Sequence, residues 1–515
     1  MKPTRTSLSR LAAVGAGALL LSAAARPAAA QQTQQTPPAQ PPAGTLPAAA
    51  PSGPYTLRRA VDVALQNNLT IRQQQLTTEN TDAILRQSRN ALLPTANGSA
   101  TQNWNYGTSV DPLTFQFQDQ TIRTNNFSVN SQVTLFSGFQ LRNTIKRNVL
   151  DYQAGLHDIE KSKNDIALNV ASSYLQLVLA QEIVLANQAR VNTSQQQISR
   201  TQKLLKAGSV AESNLLDSQA QLASDELNVI TAQNQVAFYK LQLAQLLNLN
   251  SINGFEIEVP ALPDPDDEVL LTANPDGTYE TAQGIMPEVK AADLRVQSAI
   301  RTVEVARGAY YPRLTFGGGV FSGYSSSRTS PVFTGELEES ARLPLFQIDP
   351  TTLTQTPIPN TYAIAYQPGY KSLPDGFFKQ VKSNYGKQLQ FTLSVPILNG
   401  FQVRTNVQRS EIGVKQNELR AEQTRLTLRQ NIQQAYSDAI AAQRRYSAAK
   451  RQVTALTTSY RNSEIRFNNG LLNGTDFNIA KNNLYGAESS MLQAKYEFIF
   501  RRKVLDFYEG RALDL

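Results

Sequence analysis

The spacing of apolar positions along the chain changes several times, and each change marks an element. Phe127, Val129, Val133 and Leu135 alternate with Ser128, Asn130, Gln132 and Thr134, the two-residue period of a strand with one apolar and one polar face. Residues 95–106 read as a second strand. Leu314, Phe316, Gly318 and Val320, and then Leu389, Phe391, Leu393, Val395 and Ile397, supply two more apolar strand faces. A strand covered on both sides would be apolar throughout, so these strands have one wet side.

Elsewhere the period lengthens to seven. Val170, Leu177, Val184, Val191, Ile198 and Leu205 form one row, and Ile432, Ala439, Tyr446, Val453, Tyr460 and Phe467 form another. Four residues earlier run Ile166, Ser173, Ala180, Asn187, Ser194 and Thr201, and correspondingly Leu428, Ala435, Ala442, Ala449, Leu456 and Ser463. The proline-free stretch 142–206 predicts a helix roughly 95 Å long at the α-helical rise. Narrow seams of small residues predict helices packed as in coiled coils; burial in a globular core needs a wider apolar stripe. Shorter helices precede the strands. Thr56 is placed to cap the first, Asn67-Asn68 to break it, and Pro94 to stop a second that starts near Thr70. Residues 287–311 repeat that plan. Gly208 ends the long helix, and Ser213 or Asn214 is placed to cap a returning one that reaches about Leu247.

The repetition is literal. Shifted by 262 positions, residues 127–248 fall on 389–510 without a gap. Val133, Gly138, Phe139, Gln140, Arg142 and Arg147 meet Val395, Gly400, Phe401, Gln402, Arg404 and Arg409, and matches such as Tyr174 with Tyr436 and Gly208 with Gly470 continue far beyond. Register held over more than a hundred residues indicates internal duplication. The domain plan is a first repeat over 55–248, a Pro/Asp/Gly/Asn-rich connector over 249–284 and a second repeat over 285–515. A Pro-, Tyr-, Thr- and Ser-rich loop over 324–387 is found only in the second.

Composition adds the compartment. Lys2, Arg5 and Arg10 precede an apolar run and the small residues Ala28-Ala29-Ala30, the layout of a secretory signal over 1–30. A Pro/Gln/Ala tract over 31–54 reads as an extended tether. The formal charge of +8 includes four basic residues in the signal, so little remains to attract nucleic acid. No run of 18 apolar residues follows the signal. The absence of cysteine excludes thiol chemistry, and His157, the one histidine, lies in a polar stretch of the long helix. Without a nucleophile–base pair, clustered metal ligands or a phosphate-binding loop, no catalysis, cofactor or metal is expected.

Two strands per repeat make four per chain, too few for a membrane barrel, and two open edges would leave backbone groups unsatisfied in lipid. Several chains lending four strands each solve this, and three would make twelve. Trp104, Tyr106, Phe321 and Tyr324 at one end, with Phe136 at the other, fit interfacial girdles. A periplasmic coiled-coil adaptor or scaffold without a membrane barrel is the alternative.

Pro396-Ile397-Leu398-Asn399-Gly400 resembles the Pro-Leu-Phe-(Asp/Asn)-Gly strand-to-helix junction of the TolC-type outer-membrane efflux proteins, and Thr134-Leu135-Phe136-Ser137-Gly138 keeps its leucine, phenylalanine and glycine but not the proline. The turns around Gly208 and Gly470, followed by Ser213-Asn214 and Thr475-Asp476, also resemble that family, and the likeness spans 55–510. The resemblance implies a mostly helical, duplicated protomer in a homotrimer, with a twelve-stranded outer-membrane β-barrel continuous with a long periplasmic α-helical barrel. It implies a passive exit duct of a tripartite efflux or type I secretion system, set in outer-membrane lipid, partnered by a periplasmic adaptor and an inner-membrane pump of RND or ABC type.

It further implies roles for single residues. Lys206, Gly208, Ser209, Val210, Ser213, Asn469, Gly470, Leu471 and Thr475 would dock the adaptor. Asn214, Asp217, Leu472 and Asp476 would ring an aperture, and Gly138, Phe139, Pro396, Gly400 and Phe401 would form the junctions. Leu472 stands where some members carry an arginine latch, and Ile479 where some carry a second aspartate. Asp476 has two readings, an aperture carboxylate or a helix cap.

Overall fold

The computed structural model describes residues 53–110, 117–249, 251, 254–260, 264 and 274–511. The export signal expected over 1–30 and all of the tether except Gly53 and Pro54 lie outside them. Thr56 caps α1 (Leu57–Asn67), its hydroxyl accepting from the Arg59 N–H at 3.3 Å. Asn68 closes α1 and opens α2 (Leu69–Asn90), its side-chain oxygen accepting from the Thr70 N–H at 2.8 Å. β1 (Thr95–Val110) and β2 (Phe117–Ser137) follow, both longer than their alternation predicts, and then α3 (Gln140–Lys206) and α4 (Glu212–Leu246). The second half contains α5 (Pro275–Ile285), α6 (Pro287–Gly308), β3 (Arg313–Ser325), β4 (Thr329–Ile348), β5 (Gln355–Pro374), α7 (Phe377–Ser383), β6 (Gly386–Ser394), α8 (Gln402–Asn468) and α9 (Gly474–Tyr508).

The duplication carries into the backbone without slippage. α3 and α8 have 67 residues each, α4 and α9 have 35 each, and all their ends differ by 262. At 1.5 Å per residue the long helices extend about 100 Å. α2 and α6 have 22 residues each, and these helices and the strands after them are related by a shift of 218.

Three expectations need correction. The stretch 324–387 is no irregular loop: β4 and β5 pair antiparallel as a separate two-stranded ribbon, with α7 after it. Prolines at 331, 344, 357, 359 and 368 had broken the alternation that marks strands. The connector contains α5, capped by Asn274 with Pro275 in its first turn. β6 ends at Ser394, so Val395 and Ile397 lie beyond it; Pro396 has no N–H to give a ladder. By length and composition alone α3 also holds an 18-residue window that could cross a membrane, although, as expected, it is not an unbroken apolar run. Its segment around Val170, Tyr174, Leu175, Leu177 and Val178 is instead the main core, packed with Leu57, Ala60, Leu243 and Leu247. Tyr174 ties that core down, its hydroxyl donating to the Tyr55 carbonyl at 2.9 Å.

The heptad rows face inward, with about half of their members buried and the rest, such as Val184, Leu205, Val453 and Phe467, half-buried. Val170, Leu177, Ala180, Asn187, Val191, Ser194 and Thr201 are buried on α3, as are Leu428, Ile432, Ala435, Ala439, Ala442 and Tyr446 on α8. The four remaining strands form one antiparallel sheet in the order β1-β2-β3-β6.

Candidate functional site

Cross-strand register sorts this sheet into two faces. Val133 pairs with Phe316 and Phe316 with Phe391; Val129 pairs with Val320 and Gly98; Leu314 pairs with Leu393. Cross-strand partners share a face, so these residues form one apolar surface. The opposite surface carries Asn97, Ser99, Thr101, Ser128, Asn130, Gln132, Thr315, Gln388, Gln390 and Thr392. Leu389, Phe391 and Leu393 are 77%, 69% and 64% exposed. Burying three such side chains is worth roughly 5–9 kcal/mol, comparable to the net stability of a domain, so water is the wrong solvent for this face. From Leu314 to Tyr324 it rises about 25 Å at the tilt of membrane barrels, the height of their apolar band.

Phe321 departs from the expected girdle. It pairs with Ser128 and lies on the polar face, over Gly386, where a Cβ would come within 2.5 Å of its ring. Trp104, Tyr106 and Tyr324 remain on the apolar side. Leu135 is the extra residue of a bulge between Thr134 and Phe136, which bends β2 towards the junction.

Both junctions turn through two consecutive left-handed residues. Gly138 and Phe139 have φ of 60° and 63°, and Gly400 and Phe401 have 58° and 61°. Their surroundings differ. A Cβ on Gly138 would come within 2.1 Å of the Gly308 carbonyl at the end of α6, whereas nothing lies within 4 Å of one on Gly400.

At the other end of the helices, Gly208 and Gly470 take φ of 71° and 72°, closing matched turns. The Ser209 N–H donates to the Leu204 carbonyl and the Leu471 N–H to the Arg466 carbonyl, each at 2.9 Å. Lys206, Gly208, Ser209, Asn469, Gly470, Leu471 and Thr475 are exposed, as are Asp217 and Asp476, and Val210 and Leu472 are half-buried. Ser213 and Asn214 do not cap α4. They lie inside its first turn, and the cap is Ala211, which has no side-chain acceptor. Shifted by 262, Ala211 becomes Asn473, whose side-chain oxygen accepts from the Asp476 N–H at 2.8 Å while its amide donates to the Asp476 carboxylate at 2.9 Å. Asp476 is therefore tied into a reciprocal cap. The two tips meet: a Cβ on Gly474 would stand 3.7 Å from the Asn214 side-chain oxygen.

Sequence reasoning missed a polar cluster between the hairpins. Lys481 on α9 and Asp225 on α4 are 2% and 3% exposed, 3.7 Å apart. Lys481 donates to the Ser194 hydroxyl of α3 at 2.6 Å, Ser194 donates to Asp225, and the Gln221 amide donates to Asp225 at 2.9 Å. Arg190 reaches across to the Tyr485 carbonyl at 2.5 Å and the Ser489 hydroxyl at 2.8 Å. Burial pulls the Lys481 ammonium below the usual lysine range, against the opposing pull of Asp225. The signal was available, because the repeat counterparts of Lys481, Asp225 and Ser194 are Gln219, Ala487 and Leu456.

A sheet with a bare apolar face, set on two long duplicated hairpins, is the setting for comparison with known proteins. The sequence profile described as outer membrane efflux protein matches residues 60–249 and 278–506. The chain belongs to that family. As a TolC-type efflux protein it is an outer-membrane protein with an efflux role, and this sets aside the soluble scaffold. It is 23% identical over 385 residues to "Toxin and drug export protein A" of Aggregatibacter actinomycetemcomitans, covering 72% of this chain and 69% of that one. In fold it is similar to the CmeC outer membrane channel of Campylobacter jejuni (TM-score 0.65, 18% identity, 88% of this chain and 85% of that one). VceC, an outer membrane protein of Vibrio cholerae, superimposes with TM-score 0.65 at 14% identity, over 89% of this chain and 97% of that one.

Proposed function

We propose that three copies of this efflux protein close a twelve-stranded barrel in the outer membrane, continuous with a helical duct through which cargo leaves passively. The observation that carries it is the complementarity of two edges left bare in one copy. β1 and β6 each have one strand partner among the described residues. The contact of β2 and α3 with α6 and β3 is a template for the missing one: shifting the first pair by 262 and the second back by 218 turns it into β6 and α8 against α2 and β1 of the next copy.

The residues support this transfer. Within the chain, Asp151 accepts from Ser298 at 2.5 Å, and Arg295 bonds Asp158, which sets α3 and α6 antiparallel. The same alignment brings Leu419 against Leu76, with Ile412 near Ile84 and Leu426 near Leu69. All six are exposed in one copy, Leu69, Leu76 and Leu419 by more than 60%. Leu92 and Leu93 at the end of α2 would likewise meet Ile397 and Leu398, which are 94% and 86% exposed beside the open Gly400.

The polar sheet face would line the lumen, and the hairpin tips, with their exposed turns, would dock a periplasmic adaptor that couples the duct to an inner-membrane pump of RND or ABC type. The name of the curated relative supports toxins and drugs as cargo. The chain's lack of cysteine allows a direct test. The Ser131–Gly318 pair transfers to Leu393 and Ala100. Oxidised Leu393→Cys/Ala100→Cys protein should run as covalent trimers, whereas Leu393→Cys/Gln102→Cys should not. Monomers only, or equal cross-linking of both pairs, would refute the arrangement.

A further inference from the structure

We infer that α7 and the strand ends around it form a seat for a phosphate-bearing lipid of the outer leaflet. The inference rests on the apolar sheet face being the lipid-facing one. α7 is docked on that face at the end remote from the helices. The Ser322 hydroxyl donates to the Val381 carbonyl at 2.5 Å, and the Asn384 amide donates to the Gly323 carbonyl at 2.7 Å. The Gln380 side chain, fully buried, donates to the Ser325 and Asp375 carbonyls, both at 2.9 Å, and accepts from the Ser325 N–H at 3.0 Å. Phe377 packs 5.3 Å from the Tyr324 ring and 6.2 Å from that of Phe127, both apolar-face residues. The helix is thus fixed in place, yet its Phe378 is 85% exposed. In lipid that side chain has a solvent; in water it has none.

Three cations surround this aromatic group on the same side. Arg123 lies 5.3 Å from the Tyr324 ring centre and Lys387 5.5 Å from that of Tyr385. Lys382 is exposed on α7 itself. None of the three has a carboxylate partner among the described residues. The nearby carboxylates are engaged: Asp375 by Lys379 at 2.5 Å and Ser330 at 2.7 Å, and Asp119 by the Thr108 hydroxyl at 2.7 Å. Lys387 enters β6 opposite Val320, below the residues on which α7 rests, and Arg123 lies above them. A lysine on the lipid face of a barrel is unfavourable unless its ammonium reaches the interface, and there an anionic headgroup is the natural counter-charge. Aromatic rings beside free cations match a lipid with acyl chains below and phosphates above.

The probe is bisphosphorylated lipid A, compared with the same lipid after enzymatic dephosphorylation, each titrated into detergent-purified full-length protein and read by native mass spectrometry. The wild type should favour the phosphorylated form at least tenfold. At about fivefold per surface cation, Arg123→Gln/Lys382→Gln/Lys387→Gln should lose on the order of 100-fold in affinity. Phe378→Ser should weaken both lipids alike. Equal wild-type binding of the two lipids would overturn the seat, and that comparison needs no variant to fold. Full competition by millimolar inorganic phosphate would also overturn it, in favour of a small-anion site. All the seat residues belong to one copy, so lipid preference is readable even on monomers. Loss of trimers would count against the barrel and not against the seat.

Discussion

Lys481, Asp225 and Ser194 join the two hairpins of a protomer through charge in a place where the repeat has Gln219, Ala487 and Leu456. Removing one member of a buried pair leaves the other charge desolvated, at a cost of about 3–5 kcal/mol, while replacing both by apolar groups of similar volume is close to neutral. Lys481→Ala should therefore lower the thermal midpoint of the purified protein clearly, and Lys481→Met/Asp225→Leu should recover most of the loss. Equal midpoints for all three proteins would mean the pair is not a clasp. At this scale the sequence was legible where a residue acts on backbone within a few positions of itself, as Thr56, Gly208 and Gly470 do. It was illegible where a role depends on a neighbour hundreds of positions away. Lys481 is simply a helical lysine until α3 and α4 enclose it.

The hairpin turns belong to the scale of elements. Nothing lies within 4 Å of a Cβ built on Gly208 or Gly470, so a substitution there acts through the positive φ and not through packing. A left-handed non-glycine residue costs roughly 1–2 kcal/mol, more when β-branched and least for asparagine. Gly208→Val/Gly470→Val should raise the drug susceptibility of cells that depend on this duct while trimers still assemble, and the Asn pair should behave nearly as wild type. Normal efflux with both valines would contradict a docking role for the tips. The long helices were readable because a seven-residue period leaves its mark over any ten turns. The caps at the hairpin tips were not: the residue before α4 is Ala211, which has no side-chain acceptor, and only the second copy has Asn473 to bond Asp476.

On the scale of the whole molecule the two repeats divide the labour unevenly. Only the second carries the β4–β5 ribbon, inserted between β3 and β6 at the end of the sheet remote from the helices. With the helices in the periplasm, we propose that the ribbon projects outside the cell. Trypsin added to intact cells should cut at exposed Arg342 or Lys371, and complete protection there would place the ribbon on the other side. The proposed seam between copies also belongs to this scale: Leu76 and Leu419 are apolar and exposed in one copy, and a second chain would cover them.

The sequence by itself determined the duplication, the lengths of the long helices, the wet and dry faces of the strands and the positions of the glycine turns. Each of these is local or periodic, so it is encoded in the order of residues alone. Only the tertiary structure decided that 329–374 forms a paired ribbon, that Phe321 belongs to the polar face, that α7 rests on the apolar one and that Lys481 is buried. Those facts depend on cross-strand register and on which helices enclose a side chain. Register is set by pairings between distant segments, and a shift of one residue reverses every face.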